Sequence, residues 1–541
     1  MSTGTALTMV SESPILALQQ ERQRLARFSL REALQQDPQR VQRYALQVGD
    51  LYADFSRHLI DDAVLQQLEA HGRRVGMAQA LDDLQAGRQV NPSEKQAAHH
   101  LALRDLSAVT ADAGARGAIE AQRRQLFHFL AALRCGDLRG ARGTRIDTLI
   151  NIGVGGSDLG AAMAVEALQG VAESAFKVHF VSSIDGVAIH ELLARIDLDR
   201  SLFVMASKSF TTVDAWANLQ TVREAMAVRG YGDEECRRHI AGISAYPERM
   251  RAAGIAEDLQ LEILPTIGGR FSLSSSMGLV LAARLGEAGF MDFLAGMHAM
   301  DRHTLALAER SMPGRMALLT WWYAEFWQAR AQAVLPYHQW LIHLPRYLAQ
   351  LEMESLGKAC DGSGQALQHA GQVVFGDVGS NAQHAFMQLL HQGTHCIPAD
   401  IIAFTNLPES NRRQADLNLA NALAQGRALA LGFTLSEAQQ EFPGDSEASW
   451  RCRVHPGNRP STTLLAPCLN AYHLGSLIAL YEHKTFLLAQ LWRVNPFDQM
   501  GVELGKRLAQ PLVGMLAGER PAVTLDASTA ALLAEITAHR C

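Results

Sequence analysis

Gln350 and Glu354 stand four residues apart in the stretch Gln350-Leu-Glu-Met-Glu-Ser-Leu-Gly-Lys358. On a helix this spacing sets an amide and a carboxylate on one face, with Glu352 pointing elsewhere. The surrounding residues 346–357 read as the C-terminal part of a helix. Leu348, Leu351 and Leu356 supply its apolar stripe and Gly357 its stop. Two readings of the pair are open. One is a solvated helix face. The other is a general base beside a substrate-orienting amide.

Four further stretches carry candidate chemistry. Ser207-Lys-Ser-Phe-Thr-Thr212 gathers four hydroxyls and one ammonium after a predicted strand, just before a helix starting near Val213. Free N–H groups at a helix N-terminus together with hydroxyls suit a phosphate, and a Ser/Thr-rich capping turn is the alternative. Pro265-Thr-Ile-Gly-Gly-Arg-Phe-Ser272 uses two glycines to bring backbone close to something and to aim Arg270. Gly376-Asp-Val-Gly-Ser-Asn381 precedes a predicted helix over 382–392 that carries His384 in its first turn. A satisfied core histidine and a functional one are both open there. Gly153-Val-Gly-Gly-Ser-Asp158 invites a dinucleotide reading, but Asp158 stands where the third glycine of such a loop belongs.

These loops need elements to hold them. Residues 1–125 read as several helices with little sheet. Within them Asn91 or Ser93 is placed to cap a helix, and the adjacent His99 and His100 cannot face one metal from a helix. Strands are expected at 146–152, 176–181, 201–206 and 259–264, alternating with helices. A second alternation brings strands within 333–344 and at 372–375, 395–404 and 462–466. Helices are expected at 412–432 and 474–492, followed by a helical tail. Alternation of this kind implies parallel sheets covered on both faces, with ligands outside the carboxyl ends of the strands. The two blocks read as distant copies of one topology.

Bulk properties narrow the function. The chain has 541 residues, enough for two or three domains. Its net charge of −6 argues against a general nucleic-acid binder, so an anionic substrate must be held by local donors. No Lys or Arg precedes Arg22, so no secretory leader is expected, and no apolar run approaches the ~18 residues of a membrane span. Seven scattered cysteines with no CxxC pair fit reduced thiols in a cytoplasmic enzyme and give no zinc signature.

Taken together and in order, these strings resemble the glucose-6-phosphate isomerase (phosphoglucose isomerase) family over nearly the whole chain. Gly268-Gly-Arg-Phe-Ser272 with Gly278, and Phe497-Asp-Gln-Met-Gly-Val-Glu-Leu-Gly-Lys506, carry most of the weight. Gln383-His-Ala-Phe386, His391-Gln-Gly-Thr394 and Gly457-Asn-Arg-Pro-Ser461 add to it. The resemblance implies an α/β fold of two sugar-isomerase (SIS) αβα sandwiches with mainly parallel sheets, a helical N-terminal region and a C-terminal helical arm. The corresponding boundaries are 1–125 for the N-terminal region packing on the second domain, 126–285 and 286–510 for the SIS-like domains, and 511–541 for the arm. It implies reversible interconversion of glucose 6-phosphate and fructose 6-phosphate, in glycolysis and gluconeogenesis, without metal or other cofactor. Gly156 and Ser157 then contact the sugar phosphate, and Ser207, Lys208, Ser209, Thr211 and Thr212 hold the phosphate. Glu354 shuttles the proton between carbons 1 and 2, and Arg270 stabilises the enediol. Gln350 and Gln499 contact substrate. His384 and Lys506 open the ring, with His384 supplied by the other subunit of a homodimer. No nucleic acid or membrane partner is implied, and the location is cytoplasmic.

The chain departs from the family at Leu356 (usually Asn), Ser274 (Trp), Ala382 (Gly), Val378 (Pro) and Asp214 (Glu). None of these removes a catalytic group, but they leave the pocket's shape open, and with it action on mannose 6-phosphate. Two rivals belong to other classes. A non-catalytic sugar-phosphate sensor needs the hydroxyl loop but not Glu354, His384, Arg270 and Lys506 together. A nicotinamide-dependent dehydrogenase is weakened by Asp158.

Overall fold

Strands that are apolar at every position must be covered on both faces, and the central strands of this protein are of that kind. The computed structural model describes residues 14–107, 113–170, 176–519 and 523–540. They form two compact units, one reaching to Pro496 and one starting at Phe497.

In the first unit, β1 (Ala45–Val48) and β2 (Leu51–Asp54) form an antiparallel hairpin. Strands β3 (Thr148–Ile152), β4 (Lys177–Val181), β5 (Ser201–Ala206), β6 (Ile240–Ser244) and β7 (Gln260–Glu262) make a parallel sheet in the order β4-β3-β5-β6-β7. Every residue of β3, β5 and β6 is buried. Numbered within the sheet the order is 2-1-3-4-5, so it reverses between β3 and β5. A ligand crevice belongs outside the carboxyl ends of those two strands. The glycine loop starting at Gly153 follows β3, and the hydroxyl loop starting at Ser207 follows β5.

Strands β8 (Ala331–Pro336), β9 (Val373–Gly376), β10 (Ala399–Phe404) and β11 (Ser461–Ala466) form the parallel part of the second sheet. The hairpin extends it, giving the order β1-β2-β11-β10-β8-β9 with β2 antiparallel to β11. The parallel strands repeat the 2-1-3-4 order of the first sheet, so the two blocks do share a topology.

Two long helices join the sheets into one core. Leu279–Leu307 breaks at Gly286, whose φ of 73° lies in the left-handed region. Ala471–Trp492 is buried almost throughout. They approach until backbone meets backbone. A Cβ on Gly296 would lie 1.8 Å from the Tyr472 carbonyl oxygen, and one on Gly475 would lie 2.1 Å from that of Phe293.

Three expectations change. The N-terminal region is not helical throughout, because its hairpin completes the second sheet. Asn91 and Ser93 cap no helix: they sit in a tight turn closed by a bridge between Asn91 and Gln96. The helix over 382–392 is two short ones, Gly379–Gln383 and Met387–Gln392, with His384 between them.

The second unit contains the helices Glu503–Leu516 and Ala527–His539. A groove of about 960 Å³ beside them is lined by Met515, Leu525, Leu533 and Ala534 among others. Among the described residues no helix is long and apolar enough to cross a membrane.

Candidate active site

The Leu344–Ala349 helix does not continue as an α-helix. At Gln350 it widens into a π-helical turn, Gln350–Glu354. Such single turns are rare in α-helices and concentrate at functional sites. The expected apolar stripe holds: Leu348, Leu351 and Leu356 are buried. On the opposite side the two polar side chains meet, and Gln350 Nε2 donates to Glu354 Oε2 at 3.0 Å. The other amide atom, Gln350 Oε1, is buried with no hydrogen-bond partner among the described residues.

The same carboxylate oxygen lies 3.3 Å from Arg270 Nη1. Arg270 is only 5% exposed, and its orientation is fixed by other contacts. Nε donates to Ser355 Oγ at 2.6 Å, and Nη2 donates to the carbonyl of Pro496. Ser355 directly follows Glu354, so the two residues present adjacent acceptors to one guanidinium. Arginine stays protonated in such surroundings and offers its donors in a rigid plane.

The loop after β3 closes the constellation from another side. A Cβ on Gly156 would lie 2.1 Å from the Gly269 carbonyl carbon and 2.5 Å from the Arg270 nitrogen. At Gly155, where φ is +58°, a Cβ would come within 3.0 Å of Gln350 Nε2. Only glycine permits this approach. Gly156 therefore lies against the Arg270 backbone.

In the loop after β5, Phe210 adopts a φ of +55°, uncommon for a bulky residue. That conformation buries its ring edge-on to Trp216, whose Nε1 donates back to the Phe210 carbonyl at 2.9 Å. Ser207 stays buried at the end of β5, while Ser209, Thr211 and Thr212 reach towards the surface. Ser207 Oγ and Thr212 Oγ1 share a hydrogen bond of 3.0 Å, and Ser209 Oγ and Thr211 Oγ1 one of 2.8 Å. Thr212 sits at the start of the Val213–Val228 helix without capping it through its side chain. Burial pulls the Lys208 ammonium below its ordinary pKa; the Glu94 carboxylate opposes this and the Arg270 guanidinium adds to it. The pull of Glu94 was not foreseen, because spacing cannot connect a turn near residue 91 with a loop near residue 208.

Within the first unit Gln350, Glu354, Arg270 and the loop at Gly156 come together, and His384 bonds to none of these side chains. His384 is exposed, and its imidazole hydrogen-bonds to none of the described residues. Gln499 and Lys506 belong to the second unit. Gln499 precedes the Met500–Val502 turn, and Lys506 Nζ donates to Glu503 Oε1 at 2.8 Å on a largely exposed helix face. His99 shares a 2.8 Å hydrogen bond with Thr266 Oγ1, and the buried His100 packs on the Phe271 ring at 4.8 Å, so both act in packing.

The phosphoglucose isomerase family model matches residues 54–533. The chain belongs to the phosphoglucose isomerase family. It is 40% identical over 516 residues to the glucose-6-phosphate isomerase of Psychrobacter arcticus, covering 91% of each chain. It is 38% identical over 535 residues to that of Chlorobium luteolum, covering 97% of each. A crystal structure of a glucose-6-phosphate isomerase from Chlamydia trachomatis matches with a TM-score of 0.84 at 29% identity, over 97% of this chain and 98% of that one.

Two sequence features of this phosphoglucose isomerase family member find their reasons here. Leu356 joins the buried apolar stripe, so no polar group is stranded there. Asp158, which spoils the dinucleotide pattern, is buried, and its Oδ1 has no hydrogen-bond partner among the described residues. Burial pushes its carboxyl up to about 6, against the pull of Arg346 and a hydrogen bond from Ser182.

Between the ordinary carboxylate range and about pH 6, folded Asp158 therefore holds its proton more than the unfolded chain does. Stability from this group is present at low pH and is lost as pH rises through that window. Asp158→Asn lacks the titration. Relative to it, the wild type should lose thermal stability from about pH 4 to about pH 6.5, by at most about 3 kcal/mol. Thermal unfolding at constant ionic strength measures the difference, and parallel curves would show that Asp158 titrates alike in both states.

Proposed function

We propose that this protein interconverts glucose 6-phosphate and fructose 6-phosphate as an aldose–ketose isomerase in the cytoplasm. The observation that carries the reading is one carboxylate oxygen of Glu354 held between Gln350 Nε2 and Arg270 Nη1. It sits beside a glycine loop and a hydroxyl loop at the reversal point of a parallel sheet.

Each group has a task in the chemistry. The phosphate is held by Ser207, Lys208, Ser209, Thr211 and Thr212, with Gly156 and Ser157 alongside. A helix N-terminus and oriented hydroxyls suit a dianion without a large net positive field. His384 and Lys506 open the sugar ring, exchanging a proton with the ring oxygen and the carbon-1 hydroxyl. In the open aldose, Glu354 takes the proton from carbon 2 and the electron pair forms the C1–C2 double bond. Negative charge then develops on the carbon-1 oxygen, where Arg270 can stabilise it without giving up a proton. Returning the proton to carbon 1, while the proton of the carbon-2 hydroxyl passes to the carbon-1 oxygen, completes the ketose. Gln350 aims the carboxylate, and Gln499 contacts the sugar.

The parallel strands of the two sheets belong to SIS-like lobes at 126–285 and 286–510; the hairpin of residues 1–125 extends the second sheet, and 511–541 is an appended arm. The protein works as a homodimer in which His384 reaches the other subunit's site. Its exposed position between two short helices supports that arrangement.

Glu354→Gln should bind sugar phosphate nearly as well as the wild type but lose on the order of 10²–10⁴ in turnover or more. A coupled assay from fructose 6-phosphate measures it, and wild-type turnover would end the assignment.

The shared site is tested by refolding Glu354→Gln chains together with His384→Ala chains, each first shown to fold and to be nearly inactive. About half the dimers are mixed, and each mixed dimer has one intact site if His384 acts across subunits. About a quarter of wild-type activity should then return. No recovery, with mixed dimers confirmed by mass spectrometry, would place His384 in its own chain's site.

A further inference from the structure

Lys484 lies on the Ala471–Trp492 helix with none of its side chain exposed. Its ammonium donates to both carboxylate oxygens of Glu352, at 2.9 and 3.1 Å, and to Gln332 Oε1 at 2.9 Å. An ammonium has three hydrogens to donate, and here they meet three acceptors. Gln332, on β8, passes the connection to β10 by donating to Asp400 Oδ2 at 2.6 Å. The same oxygen accepts from the Tyr481 hydroxyl at 3.0 Å. Tyr481 and Lys484 are three residues apart on one helix face. A buried polar network thus ties two strands and a helix to a single residue, Glu352.

Glu352 is the middle residue of the π turn. Gln350 and Glu354 lie two residues to either side, so they project from the opposite face. The turn therefore has an anchored side and a reacting side. A π turn carries an extra residue compared with an α turn, and relaxing it would rotate Glu354 relative to Gln350 and Arg270. Opposing that rotation needs a contact with fixed direction at the turn itself. The two-oxygen grip of Lys484 on Glu352 is such a contact. A buried ion pair contributes little net stability, because desolvation offsets most of the attraction, so its value here lies in the geometry it imposes.

We propose that Lys484, acting through Glu352, is a positioning residue for the proton transfer. It holds the π turn in the rotation that keeps Glu354 Oε2 against Gln350 and Arg270. The inference rests on Glu354 being the base.

The test compares Glu352→Gln/Lys484→Met, which removes both buried charges together, with the wild type. Expected is a kcat lower by on the order of 10- to 100-fold, with KM for fructose 6-phosphate held within about threefold. The primary isotope effect on kcat with glucose 6-phosphate deuterated at carbon 2 should rise, because proton transfer becomes slower relative to the other steps. A purely structural role would reduce the folded fraction but leave kcat per folded site and the isotope effect unchanged. If the double variant does not fold, Glu352→Asp keeps the ion pair and shortens its tether by one methylene, and the same two shifts are expected. Wild-type kcat and isotope effect in whichever variant folds would overturn the proposal. Glu354→Gln, assayed alongside, separates the two readings. If it turns over normally, the base assignment fails. If it is inactive while the Glu352 and Lys484 variants behave as wild type, only the positioning role fails.

Discussion

A carboxylate that must repeatedly take and return a proton has to be gripped tightly enough to be aimed and loosely enough to react. In the function proposed for this protein the grip is the pair of contacts at Glu354 Oε2, 3.0 Å from Gln350 Nε2 and 3.3 Å from Arg270 Nη1. Each contact depends on a different part of the fold. Gln350 and Glu354 follow β8 of the second sheet, and Arg270 follows β7 of the first. The glycines at 155 and 156 let the loop after β3 lie against both groups. The site therefore exists only where the carboxyl edge of one sheet meets an element of the other.

Bringing the two sheets together buries charge, and the structure deals with it in networks. Tyr481, Glu482, His483 and Lys484 are consecutive and all buried. Lys484 serves Glu352. One residue earlier, His483 bonds to Asp301 at 2.7 Å, and Arg104 holds Asp301 bidentately at 2.7 and 2.8 Å while also donating to Glu482. Burial alone would raise the Asp301 carboxyl, but Arg104 and His483 hold it down at about 2, whereas burial lifts Glu482 to about 7. Removing one member of such a set leaves a buried charge unpaired, which is far costlier than the net worth of the pair. One turn of one helix thus links a buried charged cluster to the anchor of the π turn.

Much of this arrangement was legible before any coordinates. The apolar runs that became β3, β5 and β10 lie within one or a few residues of their expected limits, because fully buried strands carry a dense signal. The carboxylate–amide pair on one helix face and the placing of Arg270 after two glycines also read correctly. What escaped had no local cause. β6 was missed in Ile240-Ala-Gly-Ile-Ser244, where Gly242 weakens the strand pattern. It is glycine because a Cβ would come within 2.9 Å of Met250 Sδ and 3.3 Å of the Phe210 ring. The π turn is set by Lys484, more than a hundred residues away, and no periodicity within 350–354 announces it. The hairpin of β1 and β2 did leave a trace, the two-residue Gly49-Asp50 turn, hidden by the helical composition around it. His384 was placed in a helix that its neighbours break.

The central claim is that the reaction proceeds by proton transfer through a carboxylate, not by a hydride passing directly between carbons 1 and 2. Prolonged incubation of the enzyme with fructose 6-phosphate in heavy water, followed by NMR of the glucose 6-phosphate formed, tests it directly. A proton held on Glu354 has a chance of exchanging with solvent at each turnover, so deuterium should accumulate at carbon 2 until it reaches the solvent level. Carbon 2 remaining fully protonated after many turnovers would contradict the account.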